Sequence, residues 1–513
     1  MSRLPTIPRR WLILLAVMLA FLPVVIDMTI LHIAVPSLTL ALGASATEVL
    51  WIIDIYPLLM AGLLVPMGTL ADRVGNRHVL LGGLVVFGLA SLLAAFAPTP
   101  ALLIGARVLL ALGGSMIMPC VLGIIRRTFE DERERALALG LWGTVGAAGA
   151  ALGPLIGGAL LEHFWWGSAF LLNVPIMLGV VPLVFLLLPR SEVTTPGTWT
   201  PGQALLLIGG MLGLVYGIKA SVGGTQPLGV ALPATLLGAA LLGLFARLQL
   251  HATTPMLDLA LFSRPAILAG IIMATLASGA LAGVELTLAQ ELQYVLGKTP
   301  LQAGIFMIPI MAAAALGGPV AGHLSHRYGL RLVASASLAL SAVALAWLAV
   351  ADFHHPGVGV PALLALLGLA LSIGLTASSI AIMSSVAPSE GAAAGSLEAT
   401  AYELGTGLGI TLFGVFMSRV FRHSLTLDPE LATPLAERAS RSIGDSYVIA
   451  ESLTAPQARA LVEAAKAAFS ITHSLLLMSA AVLLAALAML VCHLLRGYRP
   501  ASADPDRRPE SKR

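Results

Sequence analysis

Gly68-Thr69-Leu70-Ala71-Asp72-Arg73-Val74-Gly75-Asn76-Arg77 and Gly322-His323-Leu324-Ser325-His326-Arg327-Tyr328-Gly329-Leu330-Arg331 are two copies of one pattern, set 254 residues apart. Gly, Leu, Arg, Gly and Arg coincide, and each copy is a short polar interruption between two apolar runs. A match in both sequence and placement points to a duplicated chain with two homologous six-helix halves. Parallel repeats of this kind build transporters whose binding site lies at the repeat interface, near the membrane midplane.

Outward from the two copies, apolar runs of about 20 residues recur from end to end, each long enough to cross ~30 Å of hydrocarbon. Fourteen spans are read, over 11–36, 48–70, 79–97, 101–124, 137–161, 168–189, 202–220, 229–247, 266–289, 303–323, 331–351, 360–386, 400–421 and 472–495. Spans 1–6 and 9–14 form the halves, and spans 7 and 8 are inserted between them. In residue numbers, 1–190 is the N-terminal half and 191–264 holds the two inserted helices with their linkers. Residues 265–495 are the C-terminal half, including an outer loop at 422–470, and 496–513 a basic, disordered cytoplasmic tail. Within the outer loop, 456–470 has helical propensity and a mixed apolar face, which predicts a helix lying on the outer surface.

Composition requires the same solvent. Charged residues make up 11% of the chain and apolar ones 58%, with a mean hydropathy of +0.93. Soluble domains carry roughly 25% charge, so a large water-soluble globule is excluded. The fold class expected is all-α integral membrane.

An even number of spans puts both termini on one side, and Lys/Arg counting says which. Placing them in the cytoplasm puts 20 of the 29 basic residues inside. The short loops are the clearest, with Arg73 and Arg77 in one and Arg126, Arg127, Arg133 and Arg135 in another. The first run imitates a signal peptide, with Arg3, Arg9 and Arg10 ahead of it and Ala44-Ser45-Ala46 after it. It is too long for an h-region, however, and carries Asp27 in its middle. Cys120 and Cys492 lie in or beside apolar spans, far apart, and read as packing residues rather than a disulfide framework or metal set.

A charge at the bilayer centre costs roughly 2.5–3.5 kcal/mol on insertion scales. The chain nonetheless keeps Asp27 in span 1, Asp54 in span 2, Arg107 in span 4, Glu285 in span 9, and Glu398 and Glu403 at the start of span 13. They are mostly acidic. A cavity lined by carboxylates attracts cations and repels anions, and desolvation makes a carboxylate easier to protonate. One group can then carry a proton or bind a cation, each excluding the other, which is the simplest exchange mechanism available. Arg107 reads either as the buried partner of a carboxylate or as part of the proton route. Glu398 and Glu403 point about 140° apart on a helix, so one of them faces the cavity. Trp51, Tyr56, Trp142 and Tyr402 are candidates to stack on a cation, with core or belt packing as the plainer alternative.

These motifs resemble those of the major facilitator superfamily, and more narrowly of the fourteen-spanner drug:proton antiporters of the QacA/SmvA quaternary ammonium efflux type. Gly68, Asp72, Arg73, Gly75 and Arg77 match the superfamily's loop motif, in which Asp72 and Arg73 are taken to latch helices during alternating access. Ile26-Asp27-Met28-Thr29 with Ala34-Val35-Pro36 resembles the span 1 motif of the fourteen-spanners. Gly140, Gly149, Gly153-Pro154 and Gly157-Gly158 fit the span 5 antiporter motif at every spacing, and in the family this motif separates exporters from importers. Its physical sense is close helix contact along Gly149, Gly153 and Gly157, with a bend at Pro154. Phe170-Leu171-Leu172-Asn173-Val174-Pro175, Gln293, Gly297 and Gly304 also follow the family. The chain departs from it at Ala111, where the span 4 motif has Gly, and at His326, where the second loop copy lacks the acid of the first.

The resemblance implies a major facilitator fold and a proton-coupled antiporter. Its expected substrates are lipophilic cations: quaternary ammonium compounds, biguanide-type antiseptics and cationic dyes. A proton-coupled importer of a small organic solute is the alternative on the same fold. Gly297-Lys298-Thr299 echoes the end of a P-loop, but Leu292 stands where its first Gly belongs. His354 and His355 are poorly placed to share a metal ion, and no catalytic set is read. The expectations are a transporter and not an enzyme, no cofactor beyond the proton gradient, and no metal or nucleic acid. The partners expected are lipophilic cations, protons and the lipid bilayer, for a monomer in the bacterial inner membrane.

Overall fold

The computed structural model describes residues 9–189, 201–223, 228–252, 255, 259–386, 391–427 and 431–496. Fourteen of its helices are long and apolar enough to cross a membrane. Spans 1 to 6 are Arg9–Leu42, Ala46–Val74, Asn76–Ala95, Pro100–Thr128, Glu132–His163 and Ser168–Leu187. Spans 7 and 8 are Pro201–Gly223 and Leu228–His251. Spans 9 to 14 are Pro265–Val295, Pro300–Tyr328, Leu330–Ala349, Gly359–Met383, Gly391–Ser424 and Ala455–Leu494. Among the described residues there is no strand. The tail from 497 onward lies outside the described residues, and Cys120 and Cys492 are not joined in a disulfide.

The duplication reaches further than the loop motif. Span 2 opens on a capping box between Ser45 and Glu48, and span 10 on one between Thr299 and Gln302, at the same offset as the loop copies. In each box the hydroxyl and the N3 side chain satisfy backbone donors that a helix start leaves open. Gly75 and Gly329 end spans 2 and 10 at φ 100° and 84°, a left-handed backbone that strains any residue with a Cβ. The last Arg of each copy then reaches the end of its own half. Arg77 donates to the Phe185 carbonyl of span 6 at 2.9 Å, and Arg331 to the Cys492 carbonyl of span 14 at 2.8 Å.

Each half has its own apolar core, one around Phe87, Leu110 and Ile117, the other around Met307, Leu345 and Leu484. Spans 7 and 8 pair through small residues. A Cβ on Gly213 would stand 3.1 Å from the Gly238 Cα, close approach of the kind that holds helices together in lipid. Span 7 leans on the seam between the halves, where Met211 and Val215 pack with Leu58 and Ala61 of span 2 and touch Leu404 and Leu408 of span 13.

Two expectations are corrected. Span 9 does not stop at 289 but runs on through a π-helical turn at Glu291–Val295. Two of its polar side chains reach neighbours remote in sequence: Ser470 donates to Glu291 at 2.8 Å, and Gln293 donates to the Ile33 carbonyl at 3.0 Å. Residues 456–470 are not a separate surface helix either. They are the first turns of a single 40-residue helix that continues into span 14, about 60 Å long and so twice the hydrocarbon thickness. Two short helices, Thr433–Ala439 and Ile443–Ala450, pack against this extension.

The halves meet at the end of the bundle that carries 422–470, opposite the start of span 1 and the end of span 14. The Leu301 amide of span 10 donates to Glu162 of span 5 at 3.4 Å. Asp445, on the second short helix, accepts from the Ala46 amide at 3.3 Å, while Tyr447 donates to the Tyr294 carbonyl of span 9 at 2.6 Å. That helix therefore bridges the two halves. Burial raises the Asp445 carboxyl above the usual range, partly offset by Ser442, the Ala46 amide and the Arg438 charge. At the opposite end, a Cβ on Gly140 of span 5 or Gly395 of span 13 would meet no atom within 4 Å.

Candidate functional site

Three of the intramembrane carboxylates sit beside internal cations or a histidine. Asp27 of span 1 forms an ion pair with Arg107 of span 4, both at 1% exposure. Arg107 also donates to the Ile52 carbonyl of span 2 at 3.0 Å and lies 4.5 Å from the Tyr56 ring centre. Arg107 is thus the buried partner of a carboxylate in this structure. Asp54 of span 2 pairs with Lys219 of span 7 at 2.7 Å, and Thr411 of span 13 donates to the same oxygen at 2.5 Å. Glu285 lies 3.4 Å from His32 of span 1. With span 9 extended to Val295, Glu285 stands deeper in its helix than the sequence suggests.

Glu403 differs. It is 1% exposed, and neither carboxylate oxygen has a hydrogen-bond partner among the described residues. Span 13, which carries it, packs against span 2 across the seam. Glu398 is only half-buried. Of the two span 13 acids, Glu403 is therefore the one enclosed at the seam.

The aromatic candidates separate. The Trp51 ring centre is 3.7 Å from the Lys219 ammonium, and Tyr56 carries Arg107. Trp142 stacks on Phe21 of span 1 at 5.3 Å, which is core packing. The Tyr402 carbonyl accepts from Ser278 of span 9 at 2.9 Å.

In the loop motif, Asp72 faces Arg127 of span 4 at 3.7 Å, both exposed, within one half. Arg73 is exposed. The antiporter motif divides between two neighbours. Gly149, Gly153 and Gly157 press on span 1; a Cβ on Gly157 would stand 2.6 Å from Ile30 Cγ1. Gly158 instead faces span 10, where a Cβ would stand 2.6 Å from the Pro300 carbonyl oxygen and 2.8 Å from Leu301 Cα. Backbone cannot move aside as a side chain can. Gly158→Leu is therefore expected to wedge the halves apart at this end, and overpacking of this kind costs about 1–3 kcal/mol. Spin labels on the ends of spans 5 and 10 should report a longer distance in the variant, and an unchanged distance would sink the wedge. Gly140, with open space around it in this conformation, should tolerate the same change without lengthening that distance.

Sequence reading missed Lys219, His32, Thr411 and Glu291. Lys219 and His32 were visible inside apolar runs, but a lysine at the end of a span reads as an interfacial anchor. Glu291 fell beyond the expected end of span 9, and no local signal singles out Thr411.

The sequence model for the Major Facilitator Superfamily matches residues 17–410. The chain belongs to the Major Facilitator Superfamily. It is a multi-pass membrane transporter, consistent with its fourteen apolar helices and paired halves. The methyl viologen resistance protein SmvA of Salmonella typhimurium is 48% identical over 94% of this chain and 97% of its own length. The multidrug efflux pump LfrA of Mycolicibacterium smegmatis is 37% identical over 91% of this chain and 92% of its own length. Among solved structures, a bacterial homolog of the human lysosomal transporter Spinster, inward-facing and unoccupied, superposes with a TM-score of 0.68. That match covers 96% of this chain and 99% of the other at 18% identity, and it bears on the fold alone.

Proposed function

We propose that the chain exports lipophilic organic cations across the bacterial inner membrane, each exchanged for protons, by alternating access between its two halves. The observation that carries this reading is the set of buried acids on facing spans, Asp27 and Asp54 from one half, Glu285 and Glu403 from the other. The resistance and efflux proteins among its relatives support export as the direction.

With both termini in the cytoplasm, as the basic loops favour, the end bridged through Asp445 and Tyr447 faces outward. A cation entering from the cytoplasm or inner leaflet meets carboxylates that hold either it or a proton. Rocking of the halves carries it out, and protons from outside reset the acids. The gradient is the only energy source required, and one chain holds both halves of the path, so a monomer suffices.

Charge balance constrains the exchange. Moving one charge across the membrane is worth roughly 2.3 kcal/mol per 100 mV. One proton in for one monovalent cation out is electroneutral, and only the pH gradient drives it. A dication needs more than two protons before the membrane potential helps. Ethidium efflux from energised cells expressing the chain, with and without a protonophore, tests the reading. Export that collapses with the gradient supports it; gradient-driven accumulation would establish an importer instead.

A further inference from the structure

We infer that Trp51 and Asp54 form a binding site for an organic cation, and that Lys219 of the inserted span 7 occupies it as a tethered stand-in. The inference rests on the cation-export reading and gives the inserted helix a part in it. An aromatic face and a carboxylate converging on one charge is the arrangement that recognises quaternary ammonium groups. Here the Lys219 ammonium fills that position, 3.7 Å from the Trp51 ring centre and 2.7 Å from Asp54 Oδ2. Asp54 Oδ1 has no hydrogen-bond partner among the described residues, so half of the carboxylate stays uncommitted beside the ammonium.

The lysine's own position argues against a passive anchor. It stands four residues from the end of its helix, where a lysine ordinarily snorkels to water. Instead it turns inward and is 4% exposed. A buried ammonium without a partner is expensive, so Lys219 stays with Asp54 until another positive charge or a proton takes its place there. The site also spans the seam between the halves. Thr411 of span 13 donates to the Asp54 oxygen that Lys219 contacts, so one carboxylate joins both halves and the inserted pair. Displacing the ammonium releases span 7 from the seam, and parting spans 2 and 13 breaks the Thr411 bond.

The test is tetraphenylphosphonium binding to the purified full-length chain in detergent at pH 8, by isothermal titration calorimetry. Removing the tethered competitor in Lys219→Met should tighten binding about tenfold, and the added Asp54→Asn change should abolish the gain. Lys219→Arg, which keeps the charge, should show no gain. Lys219→Gln retains a donor without the charge and serves as the second variant should Lys219→Met fail to fold; it should shift affinity in the same direction. Unchanged or weaker binding in a monodisperse Lys219→Met or Lys219→Gln protein would make the lysine a packing brace and overturn the inference. Ethidium efflux by the wild-type chain is measured separately and reports on the export reading alone.

Discussion

Asp27→Asn is expected to reduce ethidium efflux to the level of cells lacking the protein. Asparagine has nearly the shape of aspartate but behaves as an acid that never releases its proton, so it cannot exchange proton for cation. The change also leaves Arg107 buried without its counter-ion, and removing one partner of such a pair costs about 3–5 kcal/mol. Arg107 keeps the Ile52 carbonyl and the Tyr56 ring, which places the loss toward the lower end of that range. Transport must therefore be read per molecule of folded protein in membranes, alongside the thermal midpoint. The double change Asp27→Asn with Arg107→Gln separates the two effects, because it neutralises both partners. It should recover most of the midpoint and none of the transport. Residual efflux above about a tenth of wild type, a difference of 1.4 kcal/mol in effective free energy, would remove Asp27 from the coupling role.

Glu403→Gln is expected to separate dications from monocations. The two oxygens of Glu403 have no hydrogen-bond partner among the described residues, so its amide breaks no ion pair and the protein should fold as before. A charged carboxylate enclosed without a cation strongly favours a positive visitor or a proton. A monocation can be balanced by one of the other acids, whereas a dication needs two negative groups within reach. Export of a bis-cationic antiseptic should then fall by about tenfold or more, and that of ethidium by less than about threefold, or under 1 kcal/mol. Glu398→Gln, at a half-buried position, should show the same preference more weakly. Equal losses for both substrate classes would count against a charge-counting role for span 13.

How much of this was legible beforehand differs from one residue to another. Asp27 and Arg107 stood out because lipid does not tolerate charges without a reason, and the reason proved to be each other. The stripe Gly149, Gly153 and Gly157 was readable as a close helix contact because three small residues at one-turn spacing have few other uses in a membrane. That the partner is span 1, and that Gly158 serves a different helix in the other half, follows from no spacing. Glu291 looked like the end of a membrane helix and is instead its interior, since Ser470, far along the chain, supplies the donor that lets it stay. The 456–470 segment had the right secondary structure and the wrong attitude: helical propensity is local, whereas its continuity with span 14 depends on packing against the two short helices beside it.

By itself, the sequence determined that this chain crosses a membrane fourteen times, that it is a duplication with two helices inserted, and that it keeps acids where acids are costly. Those properties come from solvent and periodicity, which act on each segment separately. Only the tertiary structure decided that the helix carrying Asp445 and Tyr447 bridges the halves, that Glu403 rather than Glu398 is enclosed, and that Asp54 answers to a lysine on an inserted helix. The bond from Thr411 to Asp54 joins residues 357 apart. Contacts of that range arise from the packing of helices that are not neighbours in the chain, and no local pattern records them.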